Sequence, residues 1–119
     1  MKAIGIDIIE TERVADSVAR FGDRFLKRVY TDQELVYCHG QVGSLAARWA
    51  AKEAAAKALG TGIGDVAWQE IEVVCVCNGQ PTLRLHGEAA ALAARLGLSE
   101  FAVSLSHTKD HAVAVVIGE

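Results

Sequence analysis

Residues 2–9 (KAIGIDII) alternate Ile4, Ile6 and Ile8 against Gly5, Asp7 and Ile9. This period of two predicts a β-strand with one buried, isoleucine-lined face, and it turns Asp7 away from that face. Thr11 is placed to cap a helix over 12–21, and Thr31 with Glu34 matches a capping box that opens another over 32–39. Between the two lies FGDRFLKRVY, short and basic. Ser44 is placed to cap a long alanine-rich helix that runs to Leu59, where Gly60, Thr61, Gly62 and Gly64 end it.

The second half returns to strand periodicity. Residues 70–77 (EIEVVCVC) read as a strand, and Asn78-Gly79 is a strong hairpin signal. Pro81 limits pairing at the start of the next strand, 82–86. Residues 87–97 form a helix ended by Gly97, and two strands follow near 101–106 and 112–117. The order strand, helices, strands, helix, strands is an α+β layout rather than a βαβ alternation. With no repeat, low-complexity tract or linker, the chain reads as one domain over 1–119.

Composition narrows this picture. A chain of 119 residues, 51% hydrophobic and 23% charged, builds an ordinary core. Aromatics make up only 6%, so aliphatic residues and alanine must fill it, which leaves room for subunit association to add stability. The net charge of -3 gives no global pull toward nucleic acid. No apolar run approaches the ~20 residues that span a bilayer, and the amino-terminal apolar stretch is short and carries Asp7, unlike a signal peptide. A cytoplasmic protein with no membrane partner is the expectation. Cys38, Cys75 and Cys77 form no C-x-x-C pair and read as reduced, partly buried thiols; Cys38 beside His39 lacks the second ligand pair of a metal site.

Candidate chemistry concentrates on the alanine-rich helix. At 100° per residue Glu53 and Lys57 share one face, while Arg48 and Lys52 share another. A surface i,i+4 ion pair explains Glu53 and Lys57 equally well. Asp7 is the second anomaly, because an aspartate within an isoleucine-rich strand must be solvated, paired or bound to a cation. Glu10 and Glu12 compete for that role. Two carboxylates from separate elements would suit Mg²⁺, which takes few protein oxygens and leaves places for water and phosphate. The run SLSHT at 104–108, with Lys109, offers phosphate-compatible donors; His107 as a plain turn histidine is as good an account. No G-x-S-x-G elbow surrounds Ser106, so a serine hydrolase is not supported. Arg13, Arg20, Arg24, Lys27 and Arg28 gather basic charge early in an acidic chain, with Phe21 and Phe25 interleaved. That run is either a solvated helix face or a docking patch for an acidic partner.

Taken together, GIDIIE at 5–10, Arg13, the Arg24-to-Thr31 run, RWAAKEAAAKALGTG at 48–62, IEV at 71–73, NGQP at 78–81 and SLSHT near the end resemble the acyl-carrier-protein synthases. These are small Mg²⁺-dependent 4'-phosphopantetheinyl transferases, and the resemblance spans nearly the whole chain. It implies the α+β fold of that family, a small antiparallel sheet packed against helices. It assigns Asp7 and Glu53 to Mg²⁺ on the diphosphate of coenzyme A and Lys57 to the transferred phosphate. Arg48, Gly60, Gly62, His107 and Thr108 fall at positions associated with the coenzyme A nucleotide. The implied reaction transfers 4'-phosphopantetheine from coenzyme A to a serine of an acidic acyl carrier protein, releasing 3',5'-ADP and serving fatty acid biosynthesis, the carrier docking on Arg13, Arg20, Arg24, Phe25 and Arg28. Homotrimers with active sites between subunits are implied as well. The competing readings are a Mg²⁺-dependent phosphohydrolase and a non-catalytic module that binds acidic proteins.

Overall fold

The structure is a computed structural model and describes residues 2–76 and 78–119. Its core is built around one helix, α4 (Val42–Ala58), on which Ala46, Ala47, Ala50, Ala51, Ala54, Ala55 and Ala56 are all buried. Alanine serves here because other elements close in on almost every side, and a larger residue would hold them apart. On one side lies a three-stranded antiparallel sheet in the order β1 (Ala3–Glu10), β5 (His111–Gly118), β4 (Phe101–His107). On another lie α3 (Asp32–Cys38) and the hairpin of β2 (Ile71–Cys75) with β3 (Pro81–Leu85). The helices α1 (Thr11–Phe21) and α2 (Asp23–Val29) and the helix α5 (Gly87–Arg95) complete the layer.

The expected α+β layout stands, but β1 presents the opposite face to the core. Ile4, Ile6 and Ile8 are 69%, 61% and 65% exposed, whereas Gly5 and Ile9 are buried. The reason is the approach of α4: a Cβ on Gly5 would run into the carbonyl oxygen of Ala54. Only the face bearing glycine lets the helix lie this close to the strand. Hydrophobicity alone assigned the face wrongly because it ranks side chains and ignores the space their absence creates. Register continues the exposed stripe across the sheet, pairing Ile4 with Ile117, Ile6 with Val115 and Ile8 with Val113.

Two caps also differ from expectation. Thr11 is the first residue of α1, not its cap, and its hydroxyl donates to the Lys109 carbonyl at 2.7 Å. Helix α4 begins at Val42 after Gln41, with no side-chain cap, so Ser44 lies inside it. The Thr31–Glu34 capping box forms as foreseen. The Asn78-Gly79 turn joins β2 and β3, with the Gly79 amide donating to Val76 O at 2.7 Å; Cys77 lies outside the described residues. The strand foreseen over 70–77 begins one residue late, after a 3-10 turn at Trp68–Glu70.

Candidate active site

The face of β1 that carries Gly5 carries Asp7 two residues on, so the same pleat that admits α4 delivers a carboxylate to it. Lys57 reaches across from α4, and its Nζ donates to Asp7 Oδ1 and to the Ile6 carbonyl, both at 3.0 Å. Lys57 therefore pairs across to the strand rather than along the helix with Glu53. The second Asp7 oxygen, Oδ2, is buried and has no hydrogen-bond partner among the described residues. Glu53, one turn before Lys57, is half-buried; burial pushes its carboxyl up, the Asp7 charge pushes it further, and Lys57 opposes. Two mutually repelling carboxylates thus share a single lysine, and one carboxylate oxygen is orphaned.

That donor set fits a hard divalent cation. Among the described residues no three His, Cys, Asp or Glu side chains converge. This excludes an all-protein cage but suits Mg²⁺, which is held by one or two carboxylates and completes its shell with water and phosphate oxygens. Asp7 and Glu53 are the residues that would hold it.

Glu53 faces a cleft of about 510 Å³ lined also by Arg28, Ile63, Gly64, Val66, Ala67 and Trp68. Arg28 belongs equally to a second cleft of about 300 Å³, formed with Ser17, Phe21, Arg24 and Phe25 on α1 and α2. The basic patch foreseen at 13–28 is exposed at Arg13, Arg20, Arg24 and Arg28 and abuts the carboxylate site. Its position is fixed by the buried Tyr30, whose hydroxyl donates to Leu45 O of α4 at 2.7 Å. Gln69 secures the same junction by donating to Tyr30 O at 2.9 Å. The Ile63 and Trp68 walls escaped sequence reading; the one signal was that Ile63 sits within the glycine-rich helix exit and Trp68 four residues beyond it.

The nucleotide positions divide. Gly60, at φ +75°, ends α4 with Thr61 N donating back to Ala56 O at 3.0 Å. Gly62 has neither a positive φ nor any atom within 4 Å of where a Cβ would sit, so packing does not require glycine there. His107 and Thr108 lie at the other end of α4. A Cβ on Gly43 would come within 2.8 Å of the His107 ring, and both line a cleft of about 460 Å³ with Thr108 and Lys109. Gly43 and Glu53 are ten residues apart, about 15 Å along the helix. Arg48 differs from the other nucleotide positions in its burial. It is 3% exposed, its guanidinium lies 4.3 Å from the Tyr37 ring centroid, and Nη2 donates to Cys75 Sγ at 3.3 Å. The structure turns it into the interior, on a different side of α4 from Glu53.

Known proteins resemble this chain along nearly its whole length. Holo-[acyl-carrier-protein] synthase of Herpetosiphon aurantiacus is 50% identical, covering 99% of this chain and 98% of that protein. The synthase of Koribacter versatilis is also 50% identical, over 97% and 95%. The crystal structure of Helicobacter pylori holo-[acyl-carrier-protein] synthase in complex with coenzyme A superposes with a TM-score of 0.89 at 32% identity, covering 98% of this chain and 99% of that one. With residues 3–116 matching the family model itself, the chain belongs to the 4'-phosphopantetheinyl transferase superfamily.

Proposed function

We propose that the protein transfers 4'-phosphopantetheine from coenzyme A to a serine of an apo acyl carrier protein, releasing 3',5'-ADP and furnishing the holo carrier for fatty acid biosynthesis. The observation that carries this reading is continuity. Arg28 lines both the basic, phenylalanine-lined cleft and the cleft that holds Glu53, so a protein docked on the first is delivered to the second. A small-molecule phosphohydrolase would have no use for the first cleft, and a binding module would have none for the second.

Each group then has a task set by its position. Arg13, Arg20, Arg24 and Arg28 steer an acidic carrier, and Phe25 gives it an apolar anchor. Asp7 and Glu53 hold Mg²⁺, which when bound neutralises phosphoryl oxygens. Lys57 places a positive charge beside the same oxygens and is the group that stabilises or protonates the leaving phosphate. The serine proton passes to a water held by the carboxylates, with Glu53 itself as the second choice of base. Gly60 and Gly62 leave backbone open for the nucleotide.

His107 and Thr108 lie too far along α4 to serve the carboxylates of their own chain, and the exposed Ile4, Ile6, Ile8 and Ile117 form a face that water does not favour. Both features support a homotrimer in which one subunit's His107 and Thr108 complete a neighbour's site. Sedimentation should give three times the chain mass, and Ile6→Glu should lower it; an unchanged mass in that variant would remove the sheet face from the interface. Incubation with apo carrier protein, coenzyme A and Mg²⁺ tests the activity. The carrier should gain the mass of phosphopantetheine, and release of free phosphate without that gain would favour the phosphohydrolase.

A further inference from the structure

The interior on the α3 side of α4 holds two cations, stacked one helical turn apart. At one level Lys52, 0% exposed, has a full set of partners: Glu34 Oε1 at 2.8 Å, Ile71 O at 2.6 Å and Trp68 O at 3.1 Å. One turn earlier, Arg48 is 3% exposed, and no carboxylate lies within ion-pair distance of it among the described residues. Its Nε is buried with no partner among the described residues; Nη1 donates to Ser44 O at 3.4 Å, Nη2 to Cys75 Sγ at 3.3 Å, and the Tyr37 ring centroid lies 4.3 Å from the guanidinium. Burying a guanidinium without a counter-charge is costly, and the cost marks a place built to face something anionic or polarisable.

What faces it follows from register. Helix α3 and strand β2 run side by side in the same direction, because Thr31 Oγ1 donates to Glu72 Oε2 at 2.6 Å and Glu34 Oε2 accepts from Val73 N at 3.0 Å. Seven residues on, at Cys38, the helix has advanced about 10 Å. Three residues on, at Cys75, the strand has advanced about 10 Å as well. The two cysteines therefore come level. Cys38 repeats the position of Glu34 one turn later, and Cys75 shares the inward face of Val73. The Cys38 thiol is pushed up to about 11 by burial, with the Arg48 charge opposing and the Glu34 and Cys75 charges adding, in keeping with that register.

We propose that Cys75 and Cys38 are a redox-responsive thiol pair, closed by exchange with a low-molecular-weight disulfide and seated against the Arg48 guanidinium. Cys75 reacts first, since it is partly exposed while Cys38 is buried. Its sulfur bonds to one sulfur of the disulfide, the incoming S–S bond breaks, and one thiol leaves with the proton from Cys75. Cys38 then displaces the second thiol from that mixed disulfide, giving up its own proton and forming the Cys38–Cys75 bond. Two electrons and two protons pass from the cysteines to the reagent, which ends as two thiols. The bond would fasten α3 to β2 on the side of α4 opposite the catalytic carboxylates.

The test uses the full chain carrying Cys77→Ser, so that the neighbouring thiol cannot enter the exchange, with glutathione disulfide as the probe and intact mass as the readout. The pair predicts a product lighter by two hydrogens that returns to the starting mass with reductant. In the further variant Cys38→Ser the reaction should stop with one glutathione on Cys75, and Cys75→Ser should not react under the same conditions. A stable glutathione adduct on Cys75 while Cys38 is present, or no reaction at Cys75, overturns the proposal.

Discussion

Lys52 and Lys57 are five residues apart on α4, and that offset turns them to opposite sides of the same helix with opposite results. Lys52 is sealed in, and burial holds its ammonium below the usual lysine range although Glu34 pulls it up. Its three acceptors tie α3, β2 and the 3-10 turn to the helix. Lys57 is 53% exposed and holds one carboxylate oxygen and one carbonyl, and among the described residues Asp7 Oδ2 has no hydrogen-bond partner and Glu53 no ion pair. One side of α4 satisfies its charge and becomes structure. The other leaves charge unsatisfied, which is the condition a cation or phosphate can exploit. Two lysines of identical chemistry thus divide into scaffold and site by burial alone.

The sharpest way to break this contrast is Lys52→Met. It leaves Glu34 buried and unpaired, and should cost about 3–5 kcal/mol of unfolding free energy in denaturant titration. Lys57→Met should cost no more than about 1 kcal/mol, the scale of an exposed pair. Equal losses would show that the two sides are not different in kind. Next in size, Asp7→Ala and Glu53→Ala should each lower transfer to carrier protein at least about a hundredfold, the scale of losing one charge-stabilising group, with an unchanged melting temperature. Near-normal turnover in either variant would remove it from the metal site.

A smaller effect separates docking from chemistry. Arg24→Glu or Arg13→Glu should raise KM for carrier protein about tenfold or more while leaving KM for coenzyme A nearly unchanged, and added salt should shrink the difference. Equal shifts for both substrates would place these arginines elsewhere in function.

The smallest effect concerns acid. Burial pushes the Glu72 carboxyl up, but hydrogen bonds from Thr31 and His86 and the charges of His86 and Arg84 outweigh it, and Glu72 is held below the usual carboxylate range. A group lowered in the folded state binds fewer protons there than in the unfolded chain. Its stabilisation is therefore present above the ordinary carboxylate pKa of about 4 and is lost as pH falls through the folded value. Glu72→Gln should flatten the acid limb of the stability curve, and an unchanged limb would assign that slope to other carboxylates.

Much of this was legible in the chain. The Thr31–Glu34 box, the Asn78-Gly79 turn, the α4 exit at Gly60 and the shared face of Glu53 and Lys57 all depend on neighbours within a few residues, where spacing is geometry. The face of β1, the start of α4 and the burial of Arg48 and Lys52 were not legible. Each depends on what packs against the element from far away in sequence, and α4, almost uniformly alanine, carries no hydrophobic stripe to say which way it turns.

The sequence by itself therefore determined which residues carry chemistry and how they are spaced along helix and strand, because those properties are local and covalent. Only the tertiary structure decided which of those charges would be satisfied. The missing Cβ of Gly5 let α4 settle onto β1, which put Asp7 against Lys57 and beside Glu53, while on the helix's other side α3 and β2 close over Lys52.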